Sequence, residues 1–190
     1  MKKIAIFASG SGSNAENIAR YFENNTRISV EYLFCNNPKA YAIERAKHLE
    51  IPFKIFNRED FYENNSIIEL LKDKKIDYII LAGFLWLIPN ELVKLYPNRI
   101  INIHPALLPN YGGKGMYGSK VHKAVIDNKE KESGITIHFV NENYDEGNTI
   151  FQAKCSLDEN DTSDTLADKI HILEQENFPR IIEQTIEKQL

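Results

Sequence analysis

Five short apolar runs, alternating with stretches of helical spacing, constrain this 190-residue chain most. They are Ile4 to Ala8, Ser29 to Cys35, Phe53 to Phe56, Tyr78 to Ala82 and Ile100 to His104. Runs this short and this apolar read as strands buried on both faces. Residues 14–23, 39–49 and 59–73, and a segment after Pro89, read as helices between them. Alternation of this kind needs crossover connections, and crossovers make a parallel sheet. The expected fold is α/β, a doubly wound, mostly parallel sheet. From Gly134 the pattern changes. Gly134 to Val140 and Thr149 to Ala153 read as two strands of an antiparallel C-terminal hairpin. A last helix starts near Thr162-Ser163-Asp164, and Pro179 inside it is expected to bend or interrupt it. The chain is expected to form one domain, 1–190.

Sites in such folds lie beyond the C-terminal ends of the parallel strands. The first such place is "SGSGSN", residues 9–14. It fits a dinucleotide fingerprint loosely, with Ala15 in the third glycine's position. A dinucleotide site also needs an acidic residue at the end of the second strand to hold a ribose, and that strand ends Phe34-Cys35-Asn36-Asn37. A mononucleotide P-loop fails too, because no Gly-Lys-Ser/Thr follows. Glycines that admit close backbone approach, Ser13 and Asn14 at a helix start, and the helix N-terminus itself suit a single phosphate. A plain tight turn capped by Ser or Asn fits the same residues.

"RIINIHPALLP" carries more chemistry. Side chains alternate along a strand, so Asn102 and His104 share one face at its C-terminal end, and Pro105 stops it. An amide donor beside an imidazole suits acyl transfer: Asn can bond a developing oxyanion, and His can carry a proton. The pair is equally compatible with a loop cap and a histidine in a polar pocket. Further on, Thr136, His138 and Val140 share a strand face, and Asp145 lies in the loop beyond. A carboxylate folded back onto His104 would raise its pKa and fix its orientation. Spacing alone leaves Asp145 as readily a turn residue. There is no G-x-S-x-G elbow, and no Cys pairs with this His. The five histidines are scattered, and no metal is expected.

Composition excludes other classes. A net charge of −4 gives no global attraction to nucleic acid. The apolar stretch after Met1-Lys2-Lys3 is too short for a signal peptide, and no run approaches a membrane span. Cys35 and Cys155 each lie in an apolar run and are expected to be buried thiols. A cytoplasmic protein acting on small molecules is expected, without nucleic acid or membrane, as a monomer or weak homodimer.

"SGSGSN", "LAGFLWLIP", "INIHPALLP" and "SGITIHFVNENYDEGNTIFQ", in this order, resemble the glycinamide ribonucleotide transformylases, folate-dependent formyltransferases of purine synthesis. The likeness covers nearly the whole chain and implies a Rossmann-like formyltransferase fold. It implies that 10-formyltetrahydrofolate, as co-substrate, formylates the amine of N1-(5-phosphoribosyl)glycinamide through a tetrahedral intermediate. By resemblance, Asn102 and protonated His104 stabilise the oxyanion, and Asp145 keeps His104 basic. Gly12, Ser13 and Asn14 match the binder of the nucleotide phosphate, and Glu174 a residue that meets the glycinamide substrate. Leu85, Trp86, Leu87 and Ile88, with Asn141, Glu142, Asn143 and Tyr144, match the pterin pocket, and Arg58 falls where the family has an arginine near the folate.

Two stretches depart from the family. Trp86 stands where a polar or basic residue is expected, and residues 110–120 carry four glycines in a longer loop. Methionyl-tRNA formyltransferases add a C-terminal domain and a basic surface, and formyltetrahydrofolate hydrolases an N-terminal domain; this acidic chain is expected to be neither. Sugar N-formyltransferases keep the Asn–His–Asp set and stand as the alternative enzyme. A non-catalytic nucleotide-binding module is disfavoured, because polar groups buried at strand ends without a task are costly.

Overall fold

A computed structural model describes residues 1–189 and divides into two compact units, Met1–Ile101 and Asn102–Leu190. In the first unit, β1 (Lys2–Ala8) pairs in parallel with β2 (Ile28–Cys35) and with β4 (Tyr78–Leu81). β2 also pairs in parallel with β3 (Phe53–Ile55). The strand order is β3-β2-β1-β4, followed by β5 (Ile100–His104), whose last residues open the second unit. Ile4, Ile6, Phe7, Phe34, Ile79 and Ile80 are buried, as expected of parallel strands covered on both faces. α1 (Ser13–Phe22), α2 (Tyr41–His48) and α5 (Asn90–Leu95) fall where helical spacing places them.

The single helix expected over 59–73 is two: α3 (Arg58–Tyr62) and α4 (Ser66–Asp73). Asn57 and Asp60 cap α3 reciprocally. Asn65 adopts φ 57°, a left-handed conformation that asparagine tolerates, and this breaks the chain before α4.

In the second unit, β5 is followed by α6 (Ser119–Asp127), β6 (Glu132–Phe139), β7 (Thr149–Ser156) and α7 (Ser163–Glu187). The strand order here is β5-β6-β7, and β6 and β7 pair antiparallel, as the hairpin reading required. Their register shifts between Ile137 and His138, so that Ile137 faces Phe151 and His138 faces Thr149. Bulges of this kind re-aim side chains beside sites. α7 runs unbroken past Pro179, which sits buried in its interior. Helix α6 was not anticipated; its buried residues are Val121, His122 and Val125. Both cysteines are free, Cys35 buried and Cys155 only partly so. No helix among the described residues is long and apolar enough to cross a membrane.

Candidate active site

β5 delivers Asn102 and His104 to one face, and the loop after β6 folds Asp145 back onto both. His104 is 4% exposed. Its Nδ1 lies 3.5 Å from Asp145 Oδ2, and its Nε2 donates to the Tyr111 carbonyl at 2.8 Å. Asn102 Nδ2 lies 3.5 Å from Asp145 Oδ1 and 3.0 Å from His138 Nε2. His138 Nδ1 lies 2.8 Å from the Phe139 carbonyl, so that nitrogen carries a proton. Asp145 Oδ2 also accepts the Gly113 N–H at 3.0 Å. The three residues singled out from the sequence therefore form one constellation, with His138, Tyr111 and Gly113 joined to it.

The segment leaving β5 is fixed by Thr136, two residues before His138 on β6. Its hydroxyl donates to Ala106 O at 2.7 Å and accepts from Leu108 N at 2.9 Å. Gln152 Nε2 donates to Thr136 Oγ1 at 2.9 Å and to Leu108 O at 3.0 Å. A cavity of about 430 Å³ opens beside Asp145, lined by Leu108, Gly113, Tyr144 and Thr149 among others.

The electrostatics oppose one another. Burial lowers the His104 pKa, while Asp145 and the Tyr111 carbonyl raise it and His138 lowers it; the net direction is down. Asp145 thus counteracts the burial of His104 without reversing it. Burial would raise the Asp145 carboxyl, but His138, His104 and the Gly113 N–H outweigh it and hold it below the ordinary range. His122, buried on α6, is lowered by burial and then by His104, and its Nδ1 has no partner.

In the first unit, α1 begins at Ser13 with Gly12 as its N-cap, at φ 75° and with no side-chain bond to the cap. A Cβ on Gly12 would stand 2.6 Å from Ala42 Cα. Ala42 N–H reaches Gly10 O at 3.1 Å, and Arg45 Nε reaches Ser11 O at 3.0 Å while its guanidinium pairs with Glu16. α2 thus holds the glycine loop from behind, a contact the spacing of residues 9–14 did not reveal. Asn14 is buried, and Ser13 partly exposed.

The Arg58 guanidinium is exposed and lies 4.8 Å from the centroid of Trp86. Trp86 also stacks on Tyr62 at 6.1 Å, and Tyr62 donates to Leu87 O at 2.9 Å. Leu85 is 45% exposed, whereas Ile88 is core at 2%. In the second unit, Asn143 N–H bonds Asn141 Oδ1 at 3.0 Å and its amide bonds Glu146 at 2.7 Å, with Glu142 exposed and Tyr144 on the cavity wall. Glu174, on α7, lies 3.8 Å from His171, with its side chain 15% exposed.

The formyl transferase family matches residues 2–182. Phosphoribosylglycinamide formyltransferase of Bacillus subtilis is 41% identical over 192 residues, covering 98% of this chain and 95% of the relative. The chloroplastic phosphoribosylglycinamide formyltransferase of Arabidopsis thaliana is 38% identical over 195 residues, covering 100% of this chain and 67% of the relative. The crystal structure of phosphoribosylglycinamide formyltransferase from Bacillus halodurans superposes with a TM-score of 0.88 at 35% identity, covering 100% of this chain and 97% of the other. With the family matched from the first strand into the last helix, around an Asn–His–Asp cluster at a strand end, this chain belongs to the formyl transferase family.

Proposed function

We propose that this protein transfers the formyl group of 10-formyltetrahydrofolate to the amine of N1-(5-phosphoribosyl)glycinamide, in the cytoplasm, with 1–190 acting as one formyltransferase domain. The observation that carries the reading is the buried His104 held between Asp145 and the Tyr111 carbonyl, with Asn102 alongside. The amine lone pair attacks the formyl carbon, and the carbonyl π pair moves onto oxygen. Asn102 donates an N–H to that oxyanion; its contact with Asp145 is long and is the one readily given up. The C–N10 bond then breaks, the amine loses a proton and the folate nitrogen gains one.

His104 carries that proton. Burial leaves it neutral near neutral pH, and Asp145 stabilises the imidazolium as it forms. Its Nδ1 is the exchanging nitrogen, because the 3.5 Å contact to Asp145 is loose while Nε2 is fully engaged.

The N-terminus of α1, entered through Gly12 at φ 75°, supports assigning the nucleotide phosphate to Gly12, Ser13 and Asn14. We assign the folate to Leu85, Trp86, Leu87 and Ile88 with Arg58, whose exposed guanidinium suits a carboxylate tail, and to the 141–144 segment. Ile88, being core, acts there by shaping the loop. Glu174 is assigned to the glycinamide end of the acceptor. The test is mass spectrometry of the acceptor after incubation with formyl-labelled folate. Labelled formylglycinamide ribonucleotide supports the reading; label released as formate, or found only on an amino sugar, contradicts it.

A further inference from the structure

Tyr111 sits seven residues beyond His104 in a left-handed conformation, φ 58°, which an aromatic residue adopts only when its surroundings hold it there. Two bonds hold it. Its hydroxyl donates to Glu130 Oε1 at 2.6 Å and accepts from Asn128 Nδ2 at 3.0 Å, both just past the end of α6. Burial, and then donation to Glu130, push the phenol pKa up, so it remains a donor throughout the working pH range. The same residue's carbonyl accepts from His104 Nε2 at 2.8 Å. Two residues on, Gly113 N–H closes on Asp145 Oδ2 at 3.0 Å.

We infer that Tyr111 is a positioning residue for His104: its side chain, tied to Glu130 and Asn128, holds its main-chain carbonyl on Nε2 and so fixes the tautomer of the imidazole. The inference rests on the proposed role of His104 as proton carrier. With the Nε2 proton kept on a carbonyl, a second proton enters and leaves only at Nδ1, against Asp145. The exposed carboxylate of Glu130 therefore acts on His104 through one side chain and one carbonyl. The other titratable groups facing His104 are Asp145, His138 on β6 and His122 on α6.

The test is ¹⁵N NMR of the histidine rings across pH, on the full chain, for wild type, Tyr111→Phe, Glu130→Ala and the double variant, alongside the pH profile of kcat. In wild type, His104 is the Nε2–H tautomer. In each single variant the tautomers mix, and the His104 titration and the acid limb of kcat move down together by about half a unit to one unit, the size of one hydrogen bond lost. The double variant moves no further than Tyr111→Phe, which already cuts the bond to Glu130 along with that to Asn128. An unchanged tautomer and titration in Tyr111→Phe overturns the inference, and so do additive shifts in the double variant. The ring spectra report the tether whether or not the protein turns over. An inactive wild type with the tether intact would therefore count against the proposed reaction, and an active one with free tautomers against Tyr111.

Discussion

His104 Nδ1 and Asp145 Oδ2 stand 3.5 Å apart, and the aspartate belongs to a loop reached only after 40 further residues of chain. Asp145→Asn keeps an oxygen for Gly113 N–H but removes the charge that favours the imidazolium. The His104 pKa then falls further. The acid limb of kcat/KM is expected to move to lower pH, and kcat to drop roughly 10²-fold, the low end for a general acid–base group. A pH–rate series checks both; an unmoved limb would deny Asp145 its role.

Asn102→Ala removes the oxyanion donor and leaves His138 Nε2 without its amide partner. The expected loss is about 10²–10³ in kcat with little change in either KM. Coupled with His104→Ala, the losses should be far from additive, because both act on one intermediate. Steady-state kinetics on the two singles and the double decide it.

Gly12 and Gly10 should respond differently to alanine. A Cβ on Gly12 meets Ala42, and the residue sits at φ 75°. Gly12→Ala is expected to destabilise by about 1–2 kcal/mol and to raise KM for the ribonucleotide. Nothing lies within 4 Å of a Cβ on Gly10, so Gly10→Ala should leave thermal stability nearly unchanged. Calorimetry of the two variants makes the comparison.

Acid should destabilise this fold earlier than carboxylates alone would require. His104 and His122 are both depressed by burial, so the unfolded chain takes up protons near the ordinary histidine pKa of about 6.5 while the folded chain resists. Their contribution is complete above that pH and is lost as pH falls toward the folded values. His122→Leu should flatten the slope of Tm against pH below about 6.5. A slope unchanged from wild type would contradict this.

Trp86 is the only tryptophan, and Arg58 lies over its ring. Titration with a folate analogue is expected to change its fluorescence. Arg58→Ala should raise the folate KM about tenfold, as for one charge-assisted hydrogen bond, with kcat kept. Emission indifferent to folate would place Leu85 to Ile88 outside the pocket.

Much of this was legible in the sequence, for physical reasons. Ile100 to His104 is apolar enough to be a buried strand, and its period of two puts Asn102 and His104 on one face. The order β1 to β5 followed from apolar runs alone. Helix α6 did not, because glycines lead into it and Lys120, His122 and Lys123 crowd its short apolar face; Val121 and Val125, four apart, were the available signal. The break at Asn65 depends on a left-handed residue that helical spacing ignores. Pro179 fails to interrupt α7, whose Phe178, Pro179, Ile181 and Ile182 are buried together. At the site, spacing named Asp145 but could not fold it back. The part played by His138 depends on a pairing across 36 residues, and Tyr111 reaches His104 with a carbonyl that any residue possesses.

The central claim is that the His104 cluster moves a formyl group onto glycinamide ribonucleotide. The most direct measurement is the initial rate of deformylated folate formation from 10-formyltetrahydrofolate, with and without the ribonucleotide, in wild type and His104→Ala. The account predicts a rate in wild type only when the acceptor is present, and a loss of roughly 10²–10⁴-fold in His104→Ala. An acceptor-independent rate, or a His104→Ala variant as fast as wild type, would contradict it.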